Sequence, residues 1–131
     1  MLKFHHVGVI TQNMAFSIET YSKLFGKNSI SDVYEISSQG VEVCFVETGK
    51  GSYLELVQSL SEKSIINSMS KKGTTYYHTG YLVPDIEEAI SFLKSNKFRH
   101  IETFKSEAFD NSFCAFLISR EAHLIELIEK N

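Results

Sequence analysis

Two histidines and two glutamates occupy matched positions in an internal repeat of this chain. His6 lies in a His-Val-Gly-Val run, and His78, 72 residues later, lies in a His-Thr-Gly-Tyr run. Glu55 lies in Leu-Glu-Leu-Val, and Glu126, 71 residues later, lies in Ile-Glu-Leu-Ile. A carboxylate among large apolar residues needs a partner, because burying an unpaired charge is costly. Two imidazoles and two carboxylates form a donor set that binds divalent metals, so the pattern predicts one shared metal site.

The expected geometry of this site follows from strand alternation. In a strand, Glu55 faces away from Leu54 and Leu56, and Glu126 likewise faces away from its apolar neighbours. A pseudo-twofold relation between the two halves would bring all four side chains together. Such a site leaves two positions of an octahedral shell open, which suits Co, Ni, Mn, Fe or Zn. The alternative is two buried polar pairs that hold no metal.

The remaining histidines and strand glutamates are weaker candidates. His5 adjoins His6 and should face the other way along the strand. His100 and His123 have no histidine at the corresponding position of the other half, and Glu42 and Glu47 are expected to be solvated. These residues are therefore left outside the predicted ligand set.

The elements that would position the four residues follow the same order in both halves. In the first half, Asn13 is a plausible N-cap and Gly26 a plausible stop for one amphipathic helix. Apolar runs that predict strands lie at Leu2–Ile10, Ser31–Ser37, Val41–Val46 and Ser52–Gln58. In the second half, Asp85 with Glu88 resembles a capping box. The predicted strands there are Tyr76–Val83, Arg99–Phe104, Ser112–Ile118 and Ala122–Ile128.

This order predicts an α+β fold made of two tandem βαβββ modules that form a curved mixed sheet with a metal-binding cleft. We expect a single domain over residues 1–131, with module one at about 1–58 and module two at about 76–131. A connector over 59–75 separates them, with a short helix around Ile65, Ile66 and Met69.

Composition limits the functional classes. The chain has 131 residues, 43% of them hydrophobic, and a net charge of −3, so it has no basic footprint for nucleic acid. It has no apolar run near the ~18 residues of a membrane span, and no signal-peptide-like start, so a cytoplasmic location is expected. Cys44 and Cys114 are expected to be buried, reduced core residues.

The motifs around these residues resemble the vicinal oxygen chelate superfamily, also called the glyoxalase/bleomycin-resistance/dioxygenase fold. Within it, the methylmalonyl-CoA epimerases are the most similar. His5–Val9 is similar to their D-H-I-G-I opening, and Ser38–Val46 resembles their Q-G-V-x-V-x-F stretch. Tyr53–Leu56 matches their first carboxylate strand, and Ser64–Gly73 resembles the segment that precedes their second histidine. The resemblance covers essentially the whole chain.

The resemblance implies one divalent metal ion (Co, Ni, Zn or Mn) held by His6, Glu55, His78 and Glu126. It also implies proton transfer at a carbon alpha to a thioester or carbonyl, with Glu126 as the base and Glu55 as its partner on the other face. The implied partner is a small-molecule substrate, an acyl-CoA being the first candidate, and the implied assembly is a homodimer.

Three alternatives stay open. A glyoxalase I-like lactoylglutathione lyase would use the same four ligands, but that family typically has an arginine just after the first histidine, where this chain has Val7–Ile10. An extradiol-type dioxygenase needs a position that the second carboxylate fills here. A non-catalytic small-molecule-binding protein of the superfamily often lacks the complete ligand set.

The chain departs from the epimerases around residues 118–123, where a His-Pro-Lys segment is absent and the loop is shorter. The loop therefore bears on whether CoA can bind. Lys71, Lys72, Arg99 or Lys105 could meet CoA phosphates, although a solvated surface role is the simpler expectation for each.

Overall fold

The computed structural model describes residues 1–130, with Ile65 described by its backbone alone. The chain divides into two compact units. The first unit is His6–Tyr77, and the second combines Met1–His5 with the chain from His78 onward. The βαβββ order occurs twice along the chain, so the predicted α+β class is confirmed. Asn131, the last residue of the predicted second module, lies outside the described residues.

The first βαβββ set forms a four-stranded mixed sheet in the order β2-β3-β4-β1. β1 runs parallel to β4, and the β2–β3 and β3–β4 pairs are antiparallel. A further short helix, α2, follows the sheet. The elements are β1 (Lys3–Ile10), α1 (Met14–Phe25), β2 (Ile30–Ile36), β3 (Val41–Gly49), β4 (Ser52–Ser59) and α2 (Ile65–Lys71).

Helix α1 begins and ends where the sequence predicts. The Asn13 side chain accepts a hydrogen bond from the Phe16 N–H at 3.0 Å, which caps the first turn. Gly26, with φ 92°, ends the helix in a conformation that favours glycine. The buried face of the helix carries Met14, which packs into a core with Cys44, Val46 and Leu56.

The second βαβββ set repeats this arrangement with the order β5-β8-β7-β6. β5 runs parallel to β8, and the other two pairs are antiparallel. The elements are β5 (Tyr76–Val83), α3 (Ile86–Ser95), β6 (Arg99–Ser106), β7 (Ser112–Ile118) and β8 (Leu124–Glu129).

Helix α3 covers one face of this sheet. Its N-cap is Asp85, whose side chain accepts the Glu88 N–H at 3.0 Å, as the sequence predicts. Glu129 adds a second acceptor for the helix start, because its Oε2 receives the Ile86 N–H at 2.9 Å. The core on this face comprises Val83, Ile86, Ile90, Leu93, Ala115, Leu117 and Leu127.

Two strand ends that differ from the predicted bounds show the effect of turn geometry. The last strand begins at Leu124 rather than Ala122, because Ala122 has a left-handed φ of 66° within the preceding turn. β3 extends through Gly49, past its predicted end at Val46, which leaves Lys50 and Gly51 as the turn residues. Both differences follow from local turn geometry that apolar alternation does not encode.

Two further expectations concern the burial of the cysteines and the absence of a membrane span. Cys44 and Cys114 are free thiols with no exposed surface, which confirms their prediction as buried core residues. No helix in the described part of the chain has the length and apolar character needed to cross a membrane.

Candidate functional site

The first pair of candidate ligands lies in the first unit. In the parallel β1–β4 pair, His6 is opposite Tyr53 and Gly8 is opposite Glu55. His6 is two residues from Gly8, so its side chain lies on the same face of the sheet as that of Glu55. His6 Nε2 is 3.4 Å from Glu55 Oε1, and both residues are buried, at 0% and 5% exposure.

The second unit repeats the pair with the same register. In the parallel β5–β8 pair, Gly80 is opposite Glu126. Gly80 follows His78 by two residues, so the His78 and Glu126 side chains lie on the same face of the sheet. His78 Nε2 is 3.2 Å from Glu126 Oε1, and both residues are again buried. Each predicted histidine therefore lies beside the predicted glutamate of its own half.

The apolar neighbours of each glutamate explain why the carboxylates face away from the helices. Leu54 and Leu56, on either side of Glu55, pack with the core that includes α1 residues. Ile125 and Leu127, on either side of Glu126, pack with the core that includes α3 residues. Because side chains alternate along a strand, each glutamate points to the sheet face that its helix does not cover.

One phenylalanine that the sequence analysis did not single out lies beside the histidine in each half of the site. Phe45 lies opposite Glu55 in the β3–β4 pair, and its ring meets that of His6 at 71° with centroids 5.6 Å apart. The corresponding ring of Phe116, opposite Glu126, meets that of His78 at 77° and 5.4 Å. The sequence signal was available, because these two phenylalanines are 71 residues apart, as are the two glutamates.

The histidines and glutamates outside the predicted ligand set contact other groups or solvent. The His5 ring meets Phe109 edge-on, with centroids 5.4 Å apart. The His100 Nε2 is 2.9 Å from the Thr103 hydroxyl. His123 and Glu47 are exposed, and Glu42 is half-buried. Lys105, a candidate for CoA phosphates, places its Nζ 5.1 Å from the centre of the Phe113 ring.

Cys44 directly precedes Phe45 in the sequence and carries a thiol, but it behaves as a core residue. Burial raises the pKa of its thiol, and the charge of Asp32 acts in the same direction, while hydrogen bonds with Ser31 oppose the shift. A thiol with a raised pKa is a poor nucleophile and a poor metal ligand near neutral pH.

The donor chemistry of the four residues fits a divalent metal. His6, Glu55, His78 and Glu126 are all buried, and each offers one atom of a type that ligates metals. Imidazole nitrogens and carboxylate oxygens in equal number suit a borderline or hard divalent ion. The buried His and Glu residues could therefore bind a metal.

Comparison with known proteins identifies the family of this chain. The glyoxalase/bleomycin resistance protein/dioxygenase superfamily matches this chain over residues 5–116. The mitochondrial methylmalonyl-CoA epimerase of Dictyostelium discoideum is 27% identical over 98% of this chain and 78% of its own length.

Solved structures show the same fold. The methylmalonyl-CoA epimerase of Mycobacterium tuberculosis has a TM-score of 0.85 at 22% identity, covering 98% of this chain and 88% of that chain. A variant of the Streptomyces coelicolor methylmalonyl-CoA epimerase, solved in complex with 2-nitronate-propionyl-CoA, has a TM-score of 0.76 at 20% identity and covers 99% of both chains. The sequence match over most of its length and these shared folds establish that this chain belongs to the glyoxalase/bleomycin resistance protein/dioxygenase superfamily.

Proposed function

We propose that this chain is a metal-dependent epimerase or isomerase that moves a proton at the carbon alpha to the thioester of an acyl-CoA. The observation that carries this proposal is the duplicated, buried His–Glu pair, with Nε2–Oε1 distances of 3.4 Å and 3.2 Å. Its support is a relative whose name gives methylmalonyl-CoA epimerase as its activity. A carboxylate held beside an imidazole in each half provides two similar groups for moving a proton on two faces of a substrate.

In this proposal, His6, Glu55, His78 and Glu126 together hold one divalent ion, such as Co, Ni, Zn or Mn. When bound, the ion would supply Lewis-acid stabilisation of the negative charge that develops on the substrate oxygens. Two neutral imidazoles and two carboxylates also balance the charge of a divalent ion, which makes the burial of both glutamates less costly.

The proton is moved by the carboxylates. Glu126 takes the proton from the alpha carbon and becomes a carboxylic acid. Glu55, which has taken a proton from solvent, gives that proton to the opposite face and so inverts the carbon. Glu126 then releases its proton to solvent. Gly8 and Gly80, opposite the two glutamates, contribute no side chain to the strand surface beside them. A glycine at such a position allows a ligand to approach the backbone closely.

Phe45 and Phe116 prepare the two imidazoles for this role. Each ring meets its histidine edge-on, at 5.6 Å for His6 and 5.4 Å for His78, which restricts the imidazole plane. Both phenylalanines are buried, so they also keep water from one side of the histidines. A water-poor surrounding strengthens the electrostatic interactions on which proton abstraction depends.

Calorimetric titration of the metal-free protein with Co²⁺, Ni²⁺, Zn²⁺ and Mn²⁺ tests the metal site. We expect 1:1 binding that is lost in His78→Ala and retained in the control His123→Ala, whose histidine is exposed. Absence of binding in the wild-type protein would refute the metal-dependent mechanism.

The loaded protein then distinguishes two reactions. Exchange of the alpha proton of methylmalonyl-CoA with deuterated water, followed by NMR, reports the proposed activity. Isomerisation of the methylglyoxal–glutathione hemithioacetal reports the lactoylglutathione lyase alternative. Exchange without hemithioacetal turnover supports the proposal, and the reverse result refutes it in favour of the lyase.

A homodimer and a cytoplasmic location stay predictions. The named relative is a mitochondrial protein, and that location belongs to the relative alone. Light scattering at micromolar concentration would give the oligomeric state, with about twice the 14.9 kDa chain mass expected for a dimer.

A further inference from the structure

Both arginines of this chain line a single surface concavity in the second unit. Arg99 and Arg120 are the only arginines among its 131 residues, and Lys97 joins them around a concavity of about 350 Å³. Ile118, Ser119 and Ala122 complete the lining. Three cations therefore gather at one place in a chain whose net charge is −3.

The concavity is built from the start of β6 and the hairpin between β7 and β8. Antiparallel pairing places Arg99 opposite Ile118, the last residue of β7. The hairpin that carries Arg120 is closed by hydrogen bonds from the Ser119 N–H to the His123 carbonyl and from the Ala122 N–H to the Ser119 carbonyl, both at 3.0 Å. The His123 N–H also donates to the Ser119 hydroxyl at 3.0 Å. These bonds fix the backbone of Arg120 relative to Arg99.

The three cations are available for a ligand. Lys97, Arg99 and Arg120 are exposed, and within residues 1–130 none of them forms an ion pair with a carboxylate. Lys97 also holds a left-handed φ of 73°. This conformation ends helix α3, because the Lys97 and Phe98 N–H groups donate to the Lys94 and Leu93 carbonyls, both at 3.1 Å, which fixes the position of the Lys97 backbone.

The concavity lies along the same sheet face as one of the proposed catalytic groups. Ile118 follows Phe116 by two residues, and Phe116 is opposite Glu126, so these three side chains share a face. Leu124 lies opposite Ile118 and is two residues from Glu126. Two residues correspond to ~7 Å along a strand, so this is the separation of Leu124 and Glu126. Arg120 is four residues beyond Phe116, at most ~14 Å of extended chain. The pantetheine arm of CoA spans a separation of this order between its thioester and its phosphates.

We propose that this concavity binds the phosphate groups of the CoA portion of the substrate, with Arg99 and Arg120 as the principal contacts and Lys97 as a further charge. The inference rests on the proposed function, because it assigns the far end of the same substrate. Arginine suits this role because its planar guanidinium donates two parallel hydrogen bonds to a phosphate. The hairpin that departs from the epimerase motif is then the segment that anchors CoA.

Calorimetric binding of CoA and pantetheine to the full chain tests the proposal. We expect the Arg99→Ala/Arg120→Ala double variant to bind CoA about tenfold more weakly, since charge-assisted hydrogen bonds are lost. Pantetheine, which lacks the phosphates beyond its arm, should bind both proteins equally. The control is Lys94→Ala/Lys130→Ala, which removes two exposed cations of the same unit that do not line the concavity and should leave CoA affinity unchanged.

Several outcomes would overturn the proposal. Equal CoA affinity in the wild type and the arginine variant is one, and an equal loss with the lysine control, which would indicate a general charge effect, is another. Binding of inorganic pyrophosphate at the concavity without any arginine-dependent binding of CoA would assign it to free phosphates instead. These measurements need no turnover, so a chain that binds CoA through the arginines but does not exchange the alpha proton refutes the proposed activity alone.

Discussion

Phe45 lies directly opposite Glu55 in the antiparallel β3–β4 pair, and its ring meets the His6 imidazole edge-on. The same relationship joins Phe116, Glu126 and His78 in the second unit. Each half of the chain therefore contributes three residues in one arrangement, in which the phenylalanine supports the imidazole and the glutamate lies beside it. The repeat therefore duplicates the phenylalanine that contacts each histidine as well as the histidine and the glutamate.

Replacing Phe116 with leucine should weaken metal binding more than it weakens the fold. The change removes the aromatic edge contact that orients His78, and losing a residue that orients a ligand typically costs about 10–100-fold in metal affinity. The loss of stability should stay near 1 kcal/mol, because leucine refills much of the volume. Calorimetric metal titration and urea unfolding of the same variant measure the two quantities.

Phe109→Leu is the matched control for Phe116→Leu. Phe109 is a buried phenylalanine of the same unit whose ring contacts His5. We expect a similar stability loss with unchanged metal affinity. If both variants lose metal affinity to the same extent, the aromatic contact to His78 has no special role.

Replacing Glu126 with glutamine should abolish epimerisation while the fold is kept. Glutamine preserves the size of the side chain but cannot accept the alpha proton as a base. Loss of a general base typically lowers kcat by about 10²–10⁴-fold. Deuterium exchange at the alpha carbon of methylmalonyl-CoA measures the effect, with circular dichroism to verify folding. Glu35→Gln, an exposed carboxylate on β2, is the control, and near-normal turnover by Glu126→Gln would contradict the proposed role.

The parts of the fold that follow from periodicity could be predicted from the sequence. A glutamate between leucines in an apolar strand indicates both burial and the face it occupies, and the repeat indicates a second equivalent position. Capping residues such as Asn13 and Asp85 predicted the helix starts, because their side chains accept the first free N–H groups. These signals are local, so a single sequence contains them.

The parts that depend on strand register could not be predicted in the same way. Phe45 is one of ten phenylalanines. Its offset from Phe116 matches the offset of the two glutamates, but only the strand register shows that it lies opposite Glu55. Arg99 and Arg120 are 21 residues apart, and the β6–β7 pairing brings them to one concavity. The left-handed conformation of Ala122 was also unexpected, since alanine rarely adopts it.

The stability of the protein should fall at alkaline pH in part through Cys44. Burial raises the pKa of this thiol, so the folded state favours the protonated form. The associated stabilisation is fully present below the unfolded thiol pKa of about 8.5 and is lost as pH rises through the folded pKa. We expect the free energy of unfolding to decrease more steeply between pH 8 and pH 10 in the wild type than in Cys44→Ala. Equal pH slopes in urea unfolding would contradict this.

Replacing Ala122 with glycine should stabilise the protein. Ala122 has a φ of 66°, and a left-handed conformation costs a residue with a Cβ about 1–2 kcal/mol. Glycine removes this cost but gains freedom in the unfolded chain, which offsets about 0.4–1 kcal/mol. The net expectation is an increase of about 0.5–1 kcal/mol in the free energy of unfolding, measured by urea denaturation. Ala89→Gly, inside helix α3 with ordinary helical geometry, should instead lose about 1 kcal/mol. A loss of stability in both variants would show that the hairpin is not strained at Ala122.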